Sequence, residues 1–273
     1  MKRVVVSGHF DNLKSSDVRL LDEASRLGKL HVYLWSDALL KNQTSYTPKF
    51  PQEERLFLLE GIKYVSEISV IDELPNLDAL PETNLSSETI WVVNQNDDTG
   101  QKRNYCRTGN IQYVVVNDRI LRTYPALSNS VVQTDPARKK VVVTGSFDWL
   151  HSGHFQFFKE ASTYGDLYVV VGSDRNICLL KGEGHPLFTQ VERRYMVDAV
   201  RFVRQTLIST GSGWMDAEPE IYLIKPDYYV VNEDGDKPEK QDFCRAHQIE
   251  YLVLKRIPGE GLPRRESTKL RGF

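Results

Sequence analysis

Two short apolar runs, KKVVVTG at 139–145 and LYVVVGS at 167–173, give the chain its first structural signal. Runs of valine bounded by glycine and polar residues read as strands buried on both faces of a parallel sheet. Between them, HFQFFKEASTYG (154–165) carries apolar positions at helical spacing and stops at Gly165, a residue suited to a helix C-terminus. Thr189 and Glu192 form a T-x-x-E capping signal. Val191, Tyr195, Met196, Ala199, Val200 and Val203 follow it at helical spacing. PDYYVVN and IEYLVLK supply two further strands, with a helix around Phe243 between them. Such alternation predicts an α/β, Rossmann-like, doubly wound parallel sheet with right-handed crossovers. Ligands in these sheets bind at the carboxyl ends of strands, where the strand order reverses.

The pattern occurs twice. Sliding Val4–Asp37 onto Val141–Asp174 aligns 34 positions without a gap, of which 16 are identical. With one residue added to the offset, FPQEERLFLLEGIKYV (from Phe50) meets FTQVERRYMVDAVRFV (from Phe188). Asn94, Cys106, Arg107, Ile111 and Tyr113 then meet Asn232, Cys244, Arg245, Ile249 and Tyr251. A repeat of half the chain predicts two tandem domains from an internal duplication, 1–135 and 136–273. The boundary is expected in TYPALSNSVVQTDPARKK, residues 123–140.

Composition narrows the class. The chain has 273 residues, 40% of them hydrophobic and 26% charged, with a net charge of −2. That balance gives no global reason to expect nucleic acid as a partner. No apolar run approaches the length of a membrane span, and the apolar stretch in MKRVVVSG is too short for a signal peptide. Three well-separated cysteines (Cys106, Cys178, Cys244) without a CxxC are expected to be reduced thiols of a cytoplasmic protein.

The candidate chemistry sits after the valine strand of the second repeat, in TGSFDWLHSGH (Thr144 to His154). The first repeat reads SGHFDNLKSSD (Ser7 to Asp17), with Lys14 and Asp17 in place of His151 and His154. Gly145 and Gly153 allow close backbone approach and permissive dihedrals around the turn. A helix starting near Gly153 would aim its free amides and positive dipole end into the crevice. Two imidazoles beside those amides make a donor-rich pocket suited to phosphate. No further Cys, His or acidic cluster completes a metal-ligand set, so no protein-held metal is expected.

GSFDWLHSGH resembles the G-x-F-D-x-x-H-x-G-H signature of the cytidylyltransferase-like nucleotidyltransferases. The resemblance implies that His151 and His154 stabilise the transition state while a nucleotide's α-phosphate is transferred. It places Thr144, Gly145, Ser146, Phe147, Gly153 and Asn232 around the nucleotide. LLKGEGHPLFTQVERRYMV resembles the segment in which a loop lysine, here Lys181, reaches the triphosphate before an E-R helix. ESTKLR resembles the closing S-T element, which implies that Ser267, Thr268 and Arg271 hold the β- and γ-phosphates. Arg256, Arg264 and Arg265 stand close by in the chain and are further candidate phosphate contacts. VVNEDGD departs from the usual Gly-Asp, with Asn232 and Glu233 at those positions, which bears on the choice of nucleobase.

The implied reaction transfers CMP from CTP to a phosphorylated alcohol of the phosphoethanolamine type, releasing pyrophosphate, with Mg²⁺ carried largely by the substrate phosphates. FTQVERRYMV and the tandem arrangement resemble ethanolamine-phosphate cytidylyltransferases. LKGEGHP and KPDYYVVNEDGDKPEK resemble the adenylyltransferase domain that activates heptose 1-phosphate, so ATP with a sugar phosphate is the alternative. Asp148 and Trp149 are candidate acceptor contacts, with Trp149 able to meet a choline-like head group or to serve as core. Two other classes compete: a non-catalytic nucleotide-binding or scaffold protein, and an aminoacyl-tRNA synthetase, which the length and acidic balance oppose. The first repeat, lacking both histidines, is expected to be a catalytically silent copy that pairs with the second domain. A homodimer is a further expectation.

Overall fold

The computed structural model describes residues 2–81, 85, 87–132 and 135–270. The chain divides into two compact units, Met1–Tyr124 and Pro125–Phe273. In the first, strands β1 (Arg3–Gly8), β2 (Lys29–Trp35), β3 (Glu67–Ile71), β4 (Thr89–Asn94) and β5 (Gln112–Val116) alternate with helices α1 (Ser15–Ser25), α2 (Asp37–Gln43), α3 (Gln52–Glu60), α4 (Gly100–Thr108) and α5 (Asp118–Leu121). In the second, β6 (Lys140–Gly145), β7 (Asp166–Val171), β8 (Val203–Ile208), β9 (Tyr228–Asn232) and β10 (Glu250–Leu254) alternate with α6 (Ser152–Ala161), α7 (Asp174–Lys181), α8 (Gln190–Asp198), α9 (Glu218–Ile224) and α10 (Pro238–Ala246).

Each unit holds a five-stranded sheet, ordered β3-β2-β1-β4-β5 and β8-β7-β6-β9-β10, so the two share one topology. All pairings in the second sheet are parallel, and the valine runs place Val141, Val142 and Val143 fully out of solvent against Leu167, Tyr168 and Val169. Strand order reverses at β6, where β7 lies on one side and β9 on the other. The carboxyl end of β6 therefore opens into the crevice that such a reversal creates.

The linker belongs with the second unit. The Arg194 guanidinium donates to the carbonyls of Leu127 and Ser128, and Tyr168 donates its hydroxyl to Val132 O (3.2 Å). Gln205 accepts from Val132 N (2.8 Å) and donates to Ser130 O (2.7 Å). The helical reading of 191–203 runs too far: α8 ends at Asp198, and Val203 opens β8 instead. Val191 sits 49% exposed on the first turn, so its place in the apolar spacing does not bury it. Among the described residues no helix is long and apolar enough to cross a membrane.

Candidate active site

The loop from β6 to α6 builds the site. His151 is the N-cap of α6, in extended conformation, and its Nδ1 accepts the Gly153 amide at 3.1 Å. That bond fixes the tautomer of the neutral ring, leaving the proton on Nε2. Gly153 makes the geometry possible, since a Cβ there would stand 3.0 Å from His151 Cε1. The requirement is space rather than a special dihedral. The left-handed conformation in this loop falls instead on Phe147 (φ 48°), and the same angle recurs at Phe10 in the first unit.

One helical turn on, His154 stacks on His151 with ring centroids 4.0 Å apart and planes 28° from parallel. The Phe147 ring meets His154 edge-on at 5.5 Å. His151 Nε2 and His154 Nδ1 are buried and have no hydrogen-bond partner among the described residues. Burial drives the His151 pKa down to about 3, with Arg256 and Arg265 adding repulsion. Burial also takes His154 well below its ordinary value, aided by His151, Arg256 and Lys181. Both rings are neutral at pH 7, and their unpartnered ring nitrogens, in a field of positive charge, are suited to meet an anion.

These histidines line a cavity of about 350 Å³ at the carboxyl ends of β6 and β9. Thr144, Gly145, Ser146, Phe147, Gly153, Lys181 and Asn232 line it as well, so most of the expected nucleotide contacts come together. Thr144 Oγ1 shares a 2.7 Å hydrogen bond with Tyr229 OH, tying β6 to β9. Lys181 ends α7 and donates to Ser146 Oγ at 2.9 Å.

Three expected residues, Asp148, Trp149 and Ser267, do not line the cavity. The Asp148 carboxylate is buried and accepts the amides of Leu187 (2.7 Å) and Phe188 (3.1 Å), closing one loop onto another. Asp11 does the same in the first unit, accepting from Lys49 N (2.9 Å) and Phe50 N (2.8 Å). A carboxylate used in the same way in the unit that lacks the two motif histidines is a structural clasp. Trp149 packs edge-on against Phe188 at 5.4 Å, which makes it a packing residue. Ser267 Oγ donates to Trp149 O at 3.2 Å and does not line the cavity. The Thr268 side chain and Arg271 lie outside the described residues.

Arg193, Asp216 and Lys240 carried no role in the sequence reading, whereas Arg256 was a candidate phosphate contact and the residues near Trp214 were candidates for the acceptor side. Arg193, 1% exposed, donates to the carbonyls of Phe188, Ser146 and Gly172 and pairs with Asp174 at 2.7 Å. Arg55 repeats this knot with the carbonyls of Phe50, His9 and Trp35 and with Asp37. The arginine of the E-R pair thus binds the β6 and β7 loops together beneath the site. The signal was available, because Arg55 and Arg193 align in the repeat. Arg256 reaches the cavity from the segment after β10, donating to Asp234 (2.7 Å) and Arg265 O (2.8 Å). Trp214, Asp216 and Lys240 form another wall.

The first unit fills the corresponding place differently. Lys14 is the N-cap of α1, and the Asp17 carboxylate accepts the Lys14 amide at 2.9 Å. Burial raises the Asp17 pKa to about 6. A carboxylate therefore caps the helix mouth where His154 stands in the second unit.

Comparison with known proteins bears on the family of the second unit. Residues 142–271 match the family model described as "Cytidylyltransferase-like". The chain is 31% identical over 142 residues to the bifunctional protein HldE of Aliarcobacter butzleri, covering 51% of this chain and 29% of that protein. It is 32% identical over 126 residues to the FAD synthase of Methanosphaerula palustris, covering 45% of this chain and 78% of that one. Among solved structures, the lipopolysaccharide core biosynthesis protein from Thermoplasma volcanium matches 45% of this chain and all of its own, at 24% identity and a TM-score of 0.38. The chain belongs to the cytidylyltransferase-like nucleotidyltransferase superfamily.

Proposed function

We propose that the second unit is a nucleotidyltransferase that joins a nucleoside monophosphate to a phosphorylated acceptor. An acceptor phosphate oxygen bonds to the α-phosphorus of a nucleoside triphosphate, and the bond from that phosphorus to the β-bridging oxygen breaks, releasing pyrophosphate. The acceptor's second ionisation lies near pH 6, so it arrives as a dianion and needs no general base. Catalysis then consists of positioning and of stabilising charge as it develops.

The observation that carries this reading is the stacked His151–His154 pair lining the cavity, with two buried ring nitrogens unpartnered among the described residues. His151 Nε2–H is placed to donate to a non-bridging oxygen of the α-phosphate. His154 is placed to join it, in the tautomer the phosphate selects. Lys181 can leave its hydroxyl partner Ser146 for the leaving pyrophosphate, which offers stronger, charge-assisted bonds. Arg256, which also lines the cavity, adds positive potential. Two carboxylates, Asp216 and Asp234, line the cavity, and Asp234 is paired with Arg256. Among the described residues no cluster of three metal-ligating side chains occurs. This donor set fits Mg²⁺ held mainly by substrate phosphates, where the ion would neutralise triphosphate charge.

The narrower sequence reading, CTP with a phosphoethanolamine-type acceptor, rests on the resemblance alone. The FAD synthase relative supports the ATP alternative as well, since the product in its name carries an adenylyl group. The shared strand order and the repeated Arg55 and Arg193 knots support an internal duplication in which the first unit has lost the chemistry. Pyrophosphate release with Mg²⁺ and CTP or ATP, across a panel of phosphate monoesters, tests the assignment. Release with one pair, lost on removing both histidines, is the expected result.

A further inference from the structure

Asp216 on the cavity wall has a counterpart in the first unit, and the two carboxylates have different partners. At the offset that pairs Phe50 with Phe188, Asp216 aligns with Asp78, Lys240 with Lys102 and Ser209 with Ile71. In the first unit the Asp78 carboxylate lies 3.4 Å from the Lys102 ammonium and accepts the Thr99 hydroxyl at 2.7 Å. Lys240 keeps the same seat over an aromatic ring, 5.7 Å from the Tyr229 centroid where Lys102 is 5.9 Å from that of Trp91. Yet Lys240 and Asp216 form no ion pair among the described residues. Asp216 instead accepts the Ser209 hydroxyl at 2.6 Å through one oxygen. Its other oxygen has no partner among the described residues.

The hydroxyl proton has a fixed direction. Ser209 directly follows β8 and is 2% exposed. Its Oγ accepts the amide of Ser173, the N-cap of α7, at 2.9 Å, so its single proton is left for the carboxylate. In the first unit Ser36 aligns with Ser173 and sends its amide to the Ile71 carbonyl at 3.0 Å, and the isoleucine side chain offers no donor. The space beside the carboxylate differs as well. A Cβ at Gly172 would stand 3.5 Å from Asp216 Oδ2, and the first unit carries Trp35 at that position. Serine and glycine thus draw the carboxylate to the ends of β7 and β8. Isoleucine and tryptophan leave its counterpart to the lysine.

We propose that Ser209 is a positioning residue that holds the Asp216 carboxylate on the cavity wall, away from Lys240, with one oxygen open to a hydrogen-bond donor of the substrate. The substrate half of this inference rests on the transferase reading of the cavity, whereas the placement of the carboxylate does not.

A crystal structure of the full-length Ser209→Ala chain tests the placement. Ser209→Cys serves should alanine fail to fold, because a thiol nearly keeps the volume and is only a weak donor. The expected result is a carboxylate that leaves Gly172 and takes Lys240 as its new partner, as Asp78 takes Lys102. A carboxylate that stays beside Gly172 would overturn the inference. Steady-state kinetics, with the nucleoside triphosphate and phosphate monoester that the chain turns over, add a readout that loosened packing would not give. Ser209→Ala should raise the KM of one substrate at least about tenfold and keep kcat within about threefold, the bond being made in ground and transition states alike. Asp216→Ala should do the same, and adding Ser209→Ala to it should change that KM by less than about twofold. Equal falls in kcat and kcat/KM, or fully additive effects, would count against the positioning role. The two readings fail separately. No pyrophosphate release by the unaltered chain would sink the transferase and leave the crystallographic test standing. Release by a chain whose Asp216 stays in place without the hydroxyl would sink the positioning role alone.

Discussion

The imidazoles of His151 and His154 stack 4.0 Å apart in a buried cavity wall, and each leaves a ring nitrogen without a partner among the described residues. In a folded protein such groups are normally satisfied, and leaving one unmade costs about 1–3 kcal/mol. Both are neutral here because burial and neighbouring cations oppose their protonation. A triphosphate entering the cavity supplies the missing acceptors and reverses that field. The proposed transferase reading therefore calls for a ligand more negative than the protein around it.

The same neutrality fixes a pH dependence. The folded pKa of His151 is about 3, below the ordinary value near 6.5, so the unfolded chain binds a proton first as pH falls. Stability of the second unit should be constant above about pH 7 and decline through the window from 6.5 towards 3. By pH 5.5 the loss is about 1.4 kcal/mol for each such imidazole. Urea titrations at pH 7.5 and 5.5 measure it, and His151→Asn with His154→Asn should flatten the slope. Added pyrophosphate should also flatten it, by raising both pKa values in the bound state.

Gly153→Ala should separate activity from stability. Its Cβ would stand 3.0 Å from His151 Cε1 and 3.1 Å from Nδ1, so the ring must turn and give up the Gly153 amide. Alanine otherwise suits a helix better than glycine, by about 1 kcal/mol. Steady-state kinetics should show kcat/KM down at least about tenfold, a 1 Å displacement being enough for such a loss. The urea midpoint should move little.

Arg193 acts through the fold. Arg193→Ala removes a buried guanidinium that satisfies three carbonyls and pairs with Asp174, so destabilisation of about 3–5 kcal/mol is expected. Arg193→Lys should recover only part, because an ammonium lacks the planar fork that spans three loops. Arg55→Ala should destabilise the first unit in the same way. Hydrogen exchange resolved by unit distinguishes the two effects.

Lys181→Ala should do the opposite. Its bond to Ser146 is exposed, so stability should change by less than about 0.5 kcal/mol. Loss of charge stabilisation on the leaving group should lower kcat by about 100-fold. Thermal denaturation beside pyrophosphate-release kinetics checks both halves.

Much of this was legible in the residues. Valine runs buried on both faces give strands wherever the chain carries them, and the HxGH spacing put two imidazoles on one face of a helix's first turn. Roles decided by the direction of a loop side chain were not. Asp148 follows the motif's phenylalanine directly, yet its carboxylate turns away to cap the amides of Leu187 and Phe188. Ser267 looked like a phosphate ligand and spends its hydroxyl on Trp149 O. Lys240 and Asp216 lie far apart in sequence, on either side of β9, and only the sheet brings them to one wall. The repeat could have revealed Arg193 and Asp148 as structural, because the unit with Lys14 and Asp17 at the motif positions carries the same arginine and aspartate in the same bonds.

The most direct test of the central claim is pyrophosphate release by the full chain with Mg²⁺, CTP or ATP, and the phosphate monoesters, compared with the His151→Ala/His154→Ala variant. Release with a single nucleotide and acceptor, reduced at least about 1,000-fold in a variant that stays folded, is the predicted result. Release that survives the loss of both histidines, or no release from a protein that binds nucleotide tightly, would contradict it.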